Sequence, residues 1–162
     1  MRLAAALLLL WCSAGLAQLP SWSGGPTPPF RLPDLDAKVH TLEAYRGKVV
    51  LINFWATWCE PCREEMPSIE RLRQSLAGRP FVVLAVNLGE PESRVRGFLN
   101  TMPLGFPVLM DRDTATAKAW KARFLPATFI VGPDGRVRYS YFGELDWSRE
   151  PVRNTIAALL PQ

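Results

Sequence analysis

At 162 residues and 48% hydrophobic content the chain can bury one sizeable core, which excludes a disordered or fibrous protein and argues for a single folded domain. The net charge of +4 comes from Lys and Arg scattered among acids, with no basic run and no nucleic-acid motif. It describes a solvated surface and excludes a nucleic-acid binder.

In chain order, Met1-Arg2 followed by the apolar run Leu3 to Trp11 has the charge-then-apolar order of a secretory signal. Gly15-Leu16-Ala17 supplies the small residues for cleavage after Ala17, so residues 1–17 read as a signal peptide. The run is broken by Ser13, Gly15 and Gln18, short of the ~20 apolar residues of a membrane span, and an uncleaved membrane anchor is the alternative. Cys12 reads as a signal cysteine rather than a lipid-bearing one, because Trp11 stands where a small residue is wanted. Residues 18–29 (QLPSWSGGPTPP) are dense in Pro, Gly and Ser with no apolar period. They read as a tether or ordered lead-in rather than part of the core, with the domain proper, 30–162, starting near Phe30.

Phe30 to His40 alternates weakly around the turn-prone Leu35-Asp36-Ala37 and suits a short hairpin, and Leu42 to Arg46 suits one helical turn stopped by Gly47. Val49 to Trp55 (VVLINFW) is apolar and β-branched, the pattern of a strand covered on both faces. From Cys59, Met66, Ile69, Leu72 and Leu76 recur at helical spacing until Gly78, with a kink predicted at Pro67. Phe81 to Leu88 is a second buried strand, and strand, helix, strand in one sheet argues for parallel pairing. Ser93 to Met102 reads as a helix, Phe106 to Met110 as a short strand, and Thr114 to Arg123 as another helix. Ala127 to Val131 and Val137 to Phe142 flank the turn Gly132-Pro133-Asp134-Gly135, and a last amphipathic helix covers Arg149 to Leu160. The fold class is α/β: a mixed central sheet with a parallel centre and an antiparallel terminal hairpin, helices on both faces, and an N-terminal hairpin.

Once the signal is removed two cysteines remain, Cys59 and Cys62. Cross-linking near neighbours removes little entropy from the unfolded chain, so this pair is a poor staple and better suited to being opened and closed. In the oxidising compartment that an export signal implies, it stays oxidised unless a dedicated electron donor reduces it. At a strand-to-helix junction the Cys59 sulfur would sit over unpaired helical amides, where thiol pKa values fall to about 3.5–7.5. Cys59 is then the expected exposed nucleophile and Cys62, one turn on, the resolving thiol. Pro61 is tolerated at an early helical position and stiffens the loop. Zinc would need four ligands, and His40 stands alone and distant, so no metal is expected. Glu60 beside the nucleophile, and the absence of a His between the cysteines, argue for a reductant rather than a strong oxidant.

The run Asn53-Phe54-Trp55-Ala56-Thr57-Trp58-Cys59-Glu60-Pro61-Cys62 is followed in order by Pro67, Leu125-Pro126-Ala127-Thr128-Phe129 and Asp134-Gly135. Together they resemble the thioredoxin superfamily, specifically its exported TlpA/ResA/CcmG-like branch, over roughly residues 30–160. The stretch from Glu90 to Arg123 resembles the strand-helix insertion that separates this branch from plain thioredoxin. The resemblance implies a thioredoxin-like fold and a protein-disulfide oxidoreductase whose only redox group is the Cys59-Cys62 disulfide, with no other cofactor. It implies client protein cysteines or disulfides as partners, notably the haem-binding cysteines of apocytochromes c or copper-site cysteines. A membrane electron donor of the CcdA/DsbD kind and a place in the periplasm or on the outer face of the cytoplasmic membrane follow in the same way.

By the same resemblance Pro126 is a cis-proline facing the cysteines, presenting the backbone of Leu125 to a bound substrate. Glu65 is a proton acceptor near the active site, a role its spacing of three from Cys62 supports independently. Asn53 stands where plain thioredoxins carry a buried acid, and since it cannot titrate the proton task passes to Glu65. Trp58, Glu60 and Pro61 complete the expected docking surface, with Trp55 and Trp58 bracketing the approach. Two rival readings on this fold are a peroxiredoxin-like peroxidase and a Cu(I) carrier. The first lacks the Pro and Thr arrangement before a single peroxidatic cysteine, and the second lacks a wider cysteine spacing and a late histidine.

Overall fold

The computed structural model describes residues 19–162, so the signal-peptide reading of residues 1–17 lies outside the described residues. Val49–Trp55 is buried at every position, which for a strand is satisfied only in the middle of a sheet covered on both faces. It is the centre of a five-stranded sheet. Numbering strands from the N-terminus, Arg31–Pro33 is β1 and Val39–Thr41 is β2, paired as a hairpin. The sheet proper contains β3 (Val49–Trp55), β4 (Phe81–Leu88), β5 (Val108–Asp111), β6 (Ala127–Val131) and β7 (Val137–Phe142) in the order β5-β4-β3-β6-β7. β3, β4 and β5 run parallel, whereas β6 is antiparallel to β3 and β7 to β6.

Alternation along the strands splits the core in two. Val49, Leu51 and Trp55 face α1 (Glu60–Ser75), α2 (Glu92–Thr101) and α4 (Glu150–Ala157), which contribute Met66, Ile69, Leu72, Val95, Val152 and Ile156. Val50, Ile52 and Phe54 face the opposite way, onto Phe30, Leu32, Leu42 and the Ala117-Trp120 segment. The helices do occupy both faces, but among the described residues the second carries the short α3 (Ala115–Ala119) and the 3-10 turn Glu43–Tyr45, and the N-terminal segment supplies the rest of its cover.

The expected elements fall largely where their apolar periods place them, with β5 starting at Val108 rather than Phe106 and the last helix ending at Ala157, and three further expectations change. The helix expected over Thr114 to Arg123 is reduced to α3, because Thr114 takes a left-handed φ of 59° and Lys121 one of 58°, closing the helix at both ends. Asp111 anchors its start, accepting hydrogen bonds from the Thr116 and Ala117 amides at 3.2 and 2.8 Å. The Pro-rich lead-in is more than a tether: Leu19 is buried in the core, Trp22 packs edge-on against Phe129, and Pro29 accepts a hydrogen bond from the Trp120 indole. Ordered packing thus begins by Leu19, ahead of the expected start at Phe30. Trp55 does not bracket the cysteines but is wholly buried, packed against Phe98 of α2.

The N-terminal segment, from the lead-in through the β1-β2 hairpin, also blunts both edges of the sheet. Ser21 bridges Tyr139 on β7, and Asp34, just after β1, bridges Leu109 on β5. Unpaired edge strands template association with other chains, and these contacts interrupt both rows of free backbone groups. The β1-β2 turn is held by Asp34, whose Oδ1 accepts from the Asp36 and Lys38 amides at 2.9 Å, with Ala37 in the left-handed region. His40 is consumed here, its ring nitrogens 2.5 Å from the Tyr45 hydroxyl and 2.8 Å from Asp34 Oδ2.

Candidate active site

β3 ends at Trp55, and the chain passes through Ala56-Thr57-Trp58 into α1, of which Cys59 is the N-cap. The first helical amides have no carbonyl of a preceding turn to bond to, so an N-cap side chain that accepts is favoured. Here the acceptor is sulfur: the Cys62 amide donates to Cys59 Sγ at 3.3 Å. That contact, at the positive end of the α1 dipole, favours negative charge on Cys59. Pro61 lies in the first turn, where its missing amide costs nothing, and α1 continues unbroken through Pro67.

Cys59 and Cys62 are joined in a disulfide with a Cα–Cα separation of 5.3 Å. Cys62 is fully buried and Cys59 retains 5% exposure. Cys59 is the more accessible of the two, but the expectation of an exposed sulfur is too strong, because both cysteines belong to the core cluster beneath the sheet. Exposure lies instead on their neighbours. Trp58 is 67% exposed, Glu60 is exposed and Pro61 half-buried.

The Leu125–Pro126 peptide bond is cis. Phe54 is level with Ala127 in the β3-β6 register, so Pro126 stands level with Trp55, at the sheet end from which the cysteine loop departs. Leu125 is half-buried, Pro126 buried, and Phe124 beside them is exposed. The structure thus gathers Trp58, Cys59, Pro61, Leu125 and Pro126 at one end of the sheet.

Glu65 lies one turn beyond Cys62 on the same inward face of α1 and is only 1% exposed. Its Oε1 accepts from Asn53 Nδ2 at 2.6 Å; its Oε2 accepts from the Trp147 indole at 3.1 Å and the Leu145 amide at 3.3 Å. Burial pushes the Glu65 pKa up from the ordinary 4.5 to about 7, outweighing the three hydrogen bonds that pull it down, and the Glu144 charge adds to the rise. A carboxylate so placed takes and releases a proton near neutrality. Asn53 also donates to Thr128 Oγ1 at 2.9 Å, while its own Oδ1 is buried without a partner. Glu64 is exposed, in contrast to Glu65.

Several residues of this centre are joined to it by contacts that sequence spacing does not indicate. Leu145 and Trp147 come from the segment between β7 and α4, docked on α1 by Ser68, whose Oγ accepts from the Trp147 amide at 3.1 Å. A lone Trp in a polar loop was the available clue. Glu90, just past β4, accepts hydrogen bonds from Thr57, two residues before Cys59. The polar Asn87 and Glu90 at the carboxyl end of a buried parallel strand, where α/β sheets place their sites, could have drawn attention. Among the described residues no group of three or more His, Cys, Asp or Glu side chains is disposed to hold a metal ion.

Comparison with known proteins agrees with this geometry. The ResA thiol-disulfide oxidoreductase of Geobacillus thermodenitrificans is 36% identical over 138 residues, covering 85% of this chain and 78% of that protein. ResA of Bacillus subtilis is 36% identical over 114 residues, covering 70% of this chain and 64% of the relative. A solved Chlorobium tepidum structure described as a thiol:disulfide interchange protein DsbE superposes with a TM-score of 0.77 at 29% identity, covering 84% of this chain and 96% of that one. The protein is a thiol-disulfide oxidoreductase of thioredoxin-like fold. The model of the AhpC/TSA family matches residues 23–140, and the chain belongs to that family.

Proposed function

We propose that the protein is an exported reductant of disulfides in other exported proteins, with Cys59 as nucleophile, Cys62 as resolving thiol and Glu65 as proton acceptor. The observation that carries this reading is the Cys59 sulfur seated on the Cys62 amide at the α1 N-terminus, with buried Glu65 one turn below. In the reduced protein the Cys59 thiolate attacks a client disulfide. A bond forms between Cys59 and one client sulfur, and the other client sulfur leaves as a thiolate. The Cys62 thiol then gives its proton to Glu65 and attacks Cys59. This closes the Cys59–Cys62 bond and frees the second client sulfur, so two electrons pass to the client. Glu65, titrating near neutrality, can take that proton and return it to solvent or to the departing thiolate.

Trp58, Glu60, Pro61 and the backbone at Leu125-Pro126 form the docking surface in this reading. Clients are proteins with paired cysteines, such as the haem-binding pair of an apocytochrome c or a copper-site pair, and a CcdA/DsbD-type membrane protein supplies the electrons. The periplasm or the outer face of the cytoplasmic membrane is the corresponding location. Cys62→Ser should arrest the reaction at the mixed disulfide, and mass analysis of what is bound to Cys59 identifies the client. Equilibration with glutathione tests direction: a potential near that of thioredoxin, about −270 mV, is expected, and one well above about −150 mV overturns the reductant reading.

A further inference from the structure

Glu90 is a buried carboxylate with no part in the exchange reaction described above. It is 5% exposed and accepts three hydrogen bonds from the protein. Its Oε2 accepts from the Thr57 amide at 2.7 Å and from Asn87 Nδ2 at 2.7 Å, and its Oε1 accepts from the Thr57 hydroxyl at 2.6 Å. The Arg94 guanidinium, 3.9 Å away and largely exposed, is its nearest cation. Taking a carboxylate out of water is costly unless its lone pairs are filled, and here protein donors fill them. The arrangement depends on Gly89, whose φ of +65° turns the chain back after β4 and is poorly tolerated by other residues.

What the carboxylate grips is the approach to the nucleophile. Thr57 opens the turn that ends at Cys59, whose amide donates to the Ala56 carbonyl at 3.1 Å. The Thr57 carbonyl accepts from Arg63 on α1 at 3.5 Å. Both the amide and the hydroxyl of Thr57 are tied to Glu90, two residues before Cys59. Glu90 itself is set between β4 and α2, so the corner of the inserted segment reaches the redox loop.

We infer that Glu90 is a positioning residue: by holding Thr57 through two hydrogen bonds it keeps the Cys59 sulfur on the α1 N-terminus and so sustains its reactivity. The inference rests on the reading of Cys59 as the nucleophile. Positioning and charge make opposite predictions. Loss of a nearby negative charge favours a thiolate, whereas loss of the grip removes the sulfur from the helix amides and disfavours it.

The test is the alkylation of the reduced full chain by iodoacetamide, followed against pH, with the modified cysteine located by mass. The wild type reports on the underlying reading alone: modification of Cys62 ahead of Cys59 would refute the nucleophile assignment, whatever the variants do. Given Cys59 reactivity, Glu90→Ala is expected to raise the Cys59 pKa and, at pH values below the wild-type Cys59 pKa, to slow alkylation about tenfold, the equivalent of one pKa unit. Glu90→Gln can keep all three contacts, its carbonyl accepting from the Thr57 amide and Asn87 and its amide donating to the Thr57 hydroxyl, and should stay within twofold of wild type. Faster alkylation in both variants, or no change in Glu90→Ala, overturns the inference. If Glu90→Ala does not fold, Thr57→Val decides, since it removes the hydroxyl contact and keeps the amide one. About threefold slower alkylation supports positioning, and an unchanged rate overturns it.

Discussion

Replacing Glu65 by Gln isolates the free energy stored in a buried carboxyl group whose hydrogen-bond partners all donate to it. In the folded protein Glu65 binds its proton more tightly than in the unfolded chain, with a pKa of about 7 against the ordinary 4.5. Between those values the unfolded state holds fewer protons than the folded one, so stability falls as pH rises through this window and levels off above about pH 7. The rise from 4.5 to about 7 corresponds to about 3 kcal/mol, which solvent screening does not reduce much because the group is almost inaccessible. Gln carries no such penalty. Its carbonyl can accept from Trp147 and Leu145, and with the Asn53 amide turned over, its NH2 can donate to the Asn53 oxygen that now lacks a partner. Urea denaturation of the oxidised wild type and Glu65→Gln from pH 4 to pH 8.5 measures the difference, and groups common to both cancel. The wild type should lose about 3 kcal/mol relative to the variant between pH 4.5 and 7, with little change on either side. Parallel stability profiles would refute the argument, as would a gap that widens toward low pH.

Two further substitutions separate surface from core tryptophans. Trp58, 67% exposed, should change stability by less than about 0.5 kcal/mol on replacement by Ala. The same change should slow reduction of a protein disulfide several-fold and leave reaction with a small thiol reagent within twofold. Equal slowing of both would remove Trp58 from the docking surface. Trp120, fully buried against Phe30, Phe54 and Phe129 and hydrogen-bonded to the Pro29 carbonyl, should cost about 3–5 kcal/mol as Trp120→Ala in the same urea assay. It lies on the face of the sheet away from α1, so the alkylation rate of the folded fraction should not move; a slowed rate would show that the two faces are coupled.

Legibility followed the range of the interactions. β3, β4, β6 and β7 were readable to the residue because burial on both faces and the Gly-Pro-Asp-Gly turn are written locally. Cys62 and Glu65 were readable as a pair because a helix repeats every three to four residues. The limits of helix α3 are not legible, because they are set by left-handed Thr114 and Lys121, residue types that ordinarily avoid that conformation. The partners of Glu65 were hidden for another reason: Leu145 and Trp147 lie 80 and 82 positions away, joined to it only by the docking of a loop onto α1. Glu90 meets Thr57 across 33 positions, through a register between β3 and β4 that periodicity does not fix. The burial of Cys59 is not legible, because sequence spacing reports which cysteine leads the helix, not how deep the strand end lies.

The lead-in that pairs with the rim of the sheet also sets an order in time. Trp22 donates its amide to the Arg138 carbonyl, and Pro20 accepts from the Ser140 amide, so segments more than a hundred positions apart must meet. A chain synthesised from its N-terminus exposes Leu19 and Trp22 long before β7 exists to receive them. Contacts of such long range close late, after the entropy of the intervening loop has been met by other parts of the core. The earliest of the described residues to emerge are therefore among the last to be seated. Any chain that stops short of Tyr139 leaves them without their partner strand, with Leu19 and Trp22 open to solvent or to the holdases that bind apolar segments.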